Sequence, residues 1–245
     1  MALEDEAAVI DWSSIGDDPA RRSPRREDRW RLIRYDARGH GESEGSDERR
    51  DYAIETLAKD LLGLLDELSI EHAVLGGASL GALTALQAAV LAPDRVDALV
   101  LALPPAAGRA RRVPSMMLRG AARTVELAGK SAFLRTARLT PPPPILRGEL
   151  APFARSVVES FDRLDRRRLA TILRVGADLD LPPADVLTAV ALPTLLLGWV
   201  SDPGHPVATI DRLAEIWPRA ERQVARDAAD VRAWPEIVRD FLQGL

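Results

Sequence analysis

Cysteine is absent from the 245 residues, which removes disulfides, thiolate metal sites and a thiol nucleophile together. Lysine is nearly absent too, occurring only at Lys59 and Lys130 amid abundant arginine, alanine, leucine and proline. That skew reads as coding bias rather than chemistry. Histidine occurs only at His40, His72 and His205, so a reaction that needs an imidazole has few places to find one. No uncharged apolar run is long enough to span a bilayer and no charged-then-apolar leader is visible, so no membrane partner is expected and the cytoplasm is the expected compartment. The formal net charge is −4, a near balance that argues against nucleic acid as a partner. The local arginine clusters at 21–34, 109–123 and 163–174 read as solvated helix faces and loops. No internal repeat at a fixed period is present. No metal-ligand cluster or cofactor motif stands out, so no metal and no cofactor is expected.

What is present suits one sizeable globular domain, with room for an inserted subdomain. The informative stretch runs from His72 to Pro93. A short apolar run leads into Gly77-Ala-Ser-Leu-Gly81, and an Ala/Leu-rich segment of helical character follows until the proline. The order strand, sharp turn, helix holds Ser79 on a strained turn, with flanking glycines that let the two backbones pass closely. The amide of Leu80, at the helix N-terminus, then faces the place where an oxyanion would form. A Gly-rich turn of this kind also serves close packing or a phosphate cradle. A P-loop is excluded because no Gly-Lys-Ser/Thr follows, and a dinucleotide fingerprint because Gly-x-Gly-x-x-Gly is missing.

Along the chain, Ala7 to Trp12 is a candidate short strand, and the rest of residues 1–29 reads as loop. Trp30 to Tyr35 alternates in the manner of a strand and runs into Asp36-Ala-Arg-Gly-His-Gly-Glu-Ser43. There Gly39 and Gly41 permit a tight turn, while Asp36 and Arg38 can tie the loop backbone. Residues 52–68 form an amphipathic helix, 72–76 the strand before Ser79, and 96–103 another apolar strand. From Ala106 to about Thr188 the pattern is helical, broken by Pro141-Pro-Pro-Pro144, a stiff extended run that separates two helical pieces. Strand character returns at 192–198. A helix over 207–216, a short strand at 223–225 and a closing helix over 234–242 end the chain. Alternating strands and helices imply an α/β class, a mostly parallel sheet with helices on both faces. The expected division is a core of 1–105 and 189–245 with a helical cap inserted at 106–188.

These motifs resemble the α/β-hydrolase fold superfamily, in particular small bacterial enzymes of the enol-lactonase, esterase and cofactor-free haloperoxidase type. The resemblance rests on Tyr35-Asp-Ala-Arg-Gly-His-Gly-Glu-Ser43, on Gly77-Ala-Ser-Leu-Gly81 followed by Ala92-Pro-Asp-Arg-Val96, and on Leu192-Pro-Thr-Leu-Leu-Leu-Gly198 with Asp202 and Pro206. It implies Ser79 at the nucleophile position, Leu80 at one oxyanion amide and Asp202 at the acid position after the late strand. Asp202 in Asp-Pro-Gly also reads simply as a turn residue. The implied activity is hydrolysis of an ester, lactone or thioester of a small apolar substrate.

Two departures set against this pattern bear on function. The family's histidine follows the last strand, but Ala225 to Trp234 holds none, and a serine hydroxyl is a poor nucleophile without a positioned base. His72 reads as a strand-end residue and His40 as a structural loop residue. His205, three residues past Asp202, is the substitute candidate, although one short loop would then supply both acid and base. The second departure is at the start, where residues 1–29 have no room for the family's first strands and its early His-Gly turn, so the expectation is a shortened start: either the true start lies upstream of Met1 or the domain has lost its front edge. The rival reading is a catalytically silent member that binds a ligand or partner without a complete triad. Oligomeric state is not legible.

Overall fold

The computed structural model describes residues 30–245; the candidate strand at Ala7–Trp12 lies outside them. Among the described residues, four strands form one parallel sheet in the order β1 (Ala73–Ala78), β2 (Val96–Ala102), β3 (Thr194–Trp199), β4 (Glu221–Ala225). Helix α1 (Ile54–Glu67) precedes β1, and α2 (Leu80–Leu91) joins β1 to β2. Helix α8 (Val207–Ile216) joins β3 to β4, and α9 (Ala228–Gln243) closes the chain. The central strands alternate between the two faces. Leu99, Leu101 and Leu196 pack with α1, α2 and α8; Ala98, Val100, Leu195, Leu197 and Trp199 pack with Val231, Trp234 and Val238 of α9. Because β2 and β3 are covered on both sides, they read as continuous apolar runs rather than as alternating ones.

Between β2 and β3 the chain forms helices only: α3 (Arg112–Ala128), α4 (Lys130–Leu139), α5 (Ala151–Arg163), α6 (Arg166–Asp178) and α7 (Ala184–Thr188). Helices α3 and α6 share a small core of their own, Ala122, Val125, Leu169, Ala170 and Leu173. Not all of this stretch lies apart from the sheet. Ile145, Leu146 and Leu150 belong to the cluster on the α9 face, and Phe153 of α5 meets Trp199 edge-on at 6.4 Å. Residues 140–143 are extended and separate α4 from the 3-10 turn at Pro144–Leu146, as a proline run dictates.

Two elements differ from the sequence reading. Trp30 to Tyr35 forms no strand; it is irregular, and Leu32, Ile33 and Tyr35 are exposed. Its alternation is a local pattern, whereas a strand also needs a ladder neighbour, and none pairs with it among the described residues. The closing helix begins at Ala228 rather than 234, because Asp227 caps it by accepting from the Asp230 amide at 3.0 Å. Pro235 lies inside that helix and is buried, where it packs while lacking only one amide donor.

Candidate active site

The turn from β1 into α2 concentrates backbone strain at one residue. Ser79 has φ 53° and ψ −109°, a left-handed φ that a side chain with Cβ adopts only at an energetic cost of about 1–3 kcal/mol. Its amide donates to the Ala102 carbonyl at 3.0 Å, and its carbonyl accepts from Leu83 at 3.2 Å, so strand and helix together hold the turn. The two flanking glycines have different roles. A Cβ on Gly77 would lie 2.6 Å from the Gly81 carbonyl carbon, whereas a Cβ on Gly81 would meet nothing within 4 Å. Only Gly77 is therefore required by close approach. Leu80 opens α2, and the amides of a helix's first turn have no intrahelical acceptor, so its N–H is available beside Ser79.

The loop after β3 brings the second and third groups. His205 donates its backbone amide to the Asp202 carbonyl at 3.2 Å, and the Gly204 amide donates to Asp202 Oδ1 at 2.8 Å. This Asp-Pro-Gly-His turn folds the imidazole back over the carboxylate of its own loop. His205 Nδ1 lies 2.8 Å from Asp202 Oδ2, and His205 Nε2 lies 2.9 Å from Ser79 Oγ. A carboxylate can only accept, so the ring proton sits on Nδ1 and the Nε2 lone pair faces the serine hydroxyl. Trp199, at the end of β3, also donates from Nε1 to Asp202 Oδ2 at 2.9 Å. Asp202 is buried, at 9% exposure. Burial pushes its pKa up, but the hydrogen bond and charge of His205, with the donors from Trp199 and Gly204, outweigh it and hold the carboxyl below its ordinary value. The loop is pinned from outside by the Ala106 amide, which donates to the Gly204 carbonyl at 2.8 Å.

Ser79, Leu80, Asp202 and His205 thus border one cavity of about 780 Å³ beneath the helices that follow β2. His72 is elsewhere, exposed at the start of β1 and 3.9 Å from Asp97. His40 does border the cavity, but its Nδ1 donates to the Arg38 carbonyl at 3.0 Å, which ties the ring to its own loop. That loop is held as its residues suggest. Gly39 and Gly41 have φ 71° and 51°, the Glu42 amide donates to Asp36, and Arg38 makes a two-pronged pair with Asp60 at 2.8 and 2.6 Å. The donor role of Trp199 is not apparent from the sequence. A tryptophan closing an apolar strand reads as core, and its place three residues before an acid is the only signal.

The family model for the alpha/beta hydrolase fold matches residues 8–231. The chain belongs to that family. Among curated relatives, 3-oxoadipate enol-lactonase 1 of Acinetobacter baylyi is 32% identical over 102 residues, covering 40% of this chain and 37% of that protein. The matches to the first curated relatives span roughly a third of their own length, at 37% and 28%. An enol-lactonase structure from Burkholderia xenovorans superposes with TM-score 0.69 at 25% identity, covering 88% of this chain and 82% of that one. A thermophilic esterase from Thermogutta terrifontis gives TM-score 0.65 at 23% identity, over 85% of this chain and 76% of the other, which shows a shared fold. Among the described residues, no helix of this α/β-hydrolase-fold chain is long and apolar enough to cross a membrane.

Proposed function

We propose that this protein is a serine hydrolase that cleaves an ester or lactone of a mostly apolar substrate through an acyl-enzyme on Ser79. The observation that carries the reading is the unbroken chain of short contacts from Ser79 Oγ to His205 Nε2 and from His205 Nδ1 to Asp202 Oδ2. As Ser79 Oγ attacks the substrate carbonyl, its proton passes to Nε2 of His205, and the Oγ–C bond forms while the carbonyl π pair moves onto oxygen. The resulting oxyanion is met by the Leu80 amide and the positive end of α2. Collapse expels the alcohol oxygen, which takes the proton back from His205. Water then attacks the acyl-enzyme with His205 again as base, releasing the acid and restoring Ser79. Asp202 stays ionised throughout, fixing the tautomer and stabilising the imidazolium.

The substrate class follows from the lining of the cavity, where Leu57, Leu118, Phe161 and Leu173 join the prolines of the 141–144 run. The kinship with proteins named as enol-lactonase and esterase supports the same bond type. A silent fold was the rival because the segment 225–234 holds no histidine. A histidine within reach of both serine and acid supports the active reading over it.

Labelling with a fluorophosphonate, followed by intact mass, tests the reading without a known substrate. One adduct is expected on the unmodified protein, none on Ser79→Ala, and labelling slowed by about 10³-fold or more on His205→Ala. No adduct on the folded, unmodified protein, or equal labelling of His205→Ala, would overturn it.

A further inference from the structure

A second cavity, of about 840 Å³, lies against the first and holds none of the triad groups. The two share a wall formed by Met117, Leu118, Phe161, Leu173 and the prolines at 141–143. Beyond the wall, the second cavity is lined by Ala121 of α3, Phe133 and Ala137 of α4, and Ala154 and Val158 of α5. The polar groups there are already engaged or face solvent. Thr124, Thr136 and Thr140 donate their hydroxyls to the carbonyls of Gly120, Ala132 and Thr136. Arg138 pairs with Asp162 at 3.0 Å, and Arg155 and Glu159 are exposed on α5. The lining therefore offers hydrocarbon and asks for no hydrogen bonds. A polar ligand would be desolvated here without compensation, whereas a methylene gains.

Either cavity alone falls in the range of about 300–1,000 Å³ that holds a drug-sized ligand, so an occupant of both must be long and narrow. The wall between them contains an exposed, unbranched side chain, Met117, and methionine readily changes rotamer to open a passage. We propose that the second cavity is an acyl-chain chamber: a straight aliphatic chain, with its carbonyl at Ser79, passes the wall at Met117 and Phe161 and ends among α3, α4 and α5. The position of the carbonyl rests on Ser79 being the nucleophile. The chamber's affinity for an alkyl chain does not.

The test therefore reads binding and turnover separately. Calorimetry with straight-chain alkanoates from butanoate to tetradecanoate should show Kd tightening about fourfold per added methylene, the fold-change of about 0.8 kcal/mol, and continuing past the length that fills the first cavity. Ala121→Trp and Ala137→Trp, which fill the second cavity from different helices, should each stop that trend and weaken dodecanoate at least tenfold relative to butanoate. On p-nitrophenyl esters, the dodecanoate-to-butanoate ratio of kcat/KM should fall by a similar factor in both variants. A plateau at short chains in the unmodified protein, or an unchanged dodecanoate-to-butanoate ratio in whichever variant folds, would overturn the chamber. A chain-length trend in binding without fluorophosphonate labelling would instead overturn the role of Ser79 and leave the chamber standing.

Discussion

Adding one methyl group at Gly77 and the same group at Gly81 should have opposite effects. In Gly77→Ala the new Cβ would stand 2.6, 2.8 and 2.9 Å from the carbonyl carbon, Cα and oxygen of Gly81. All three are backbone atoms, so no rotamer change relieves the contact and β1 must part from α2. Overpacking of this kind destabilises by about 1–3 kcal/mol. In Gly81→Ala the methyl group meets nothing within 4 Å, and replacing a helical glycine by alanine stabilises by up to about 0.5–1 kcal/mol. The two variants should therefore differ by about 2–4 kcal/mol, a gap in Tm on the order of 5–15 °C for a chain of this size. Denaturant midpoints at constant m-value measure the difference, and fluorophosphonate labelling reports whether Ser79 stays in place. Labelling should collapse in Gly77→Ala and persist in Gly81→Ala. Equal stabilities, or a Gly77→Ala protein that labels normally, would refute the claim that close approach at Gly77 shapes the turn.

Other outcomes follow from the carboxylate. Asp202→Asn should slow labelling by about 10³–10⁴-fold, since the amide favours the wrong imidazole tautomer. Because Asp202 is held below its ordinary value of 3.8, its ionic contribution to stability is fully present above that pH and is lost as pH falls through the lower, folded value. The stability gap between the unmodified protein and Asp202→Asn should therefore narrow below about pH 4; a gap that is constant from pH 6 to pH 2.5 would contradict this. Trp199→Phe removes one donor to a charged acceptor, and the loss of about 1.5–3 kcal/mol should be accompanied by an upward shift in the Asp202 titration, read by the same pH series.

Much of this architecture is legible in the residues, and the parts that are not share a cause. The turn at Ser79 is recognisable because its glycines and strand–helix junction are local stereochemistry. Helix α8 runs over 207–216, the range its periodicity predicts. The start of α9 is harder to read, since Pro235 resembles a first-turn proline while the actual cap is Asp227 accepting from Asp230. Trp30 to Tyr35 carries the alternation of a strand without the neighbour a strand requires. His205 is recognisable as a candidate by position, but its geometry is not. Whether Asp202 and His205 face each other depends on the backbone bonds of Gly204 and His205, which composition does not encode. Trp199 is hidden for a related reason: a buried indole stacked on Trp234 at 6.0 Å fulfils a packing role and a polar role at once.

The placement of Asp202 and His205 on a single tight turn gives the site a particular mechanical character. The Asp202–His205 alignment is set by the chain's own short-range stereochemistry and travels with the loop as one rigid lever. Only one joint, from Ser79 to His205, spans separate parts of the molecule. That joint runs across a single intervening strand: β2 grips the serine turn through the Ala102 carbonyl, and the segment after it grips the lever through the Ala106 amide. Ser79 and the His205 turn are thus clamped to opposite sides of one stretch, residues 102–106, so a shift in that stretch moves both together. No residue of β4 or α9 lines the cavity, so the end of the chain delivers no imidazole and is left with the task of supporting the sheet.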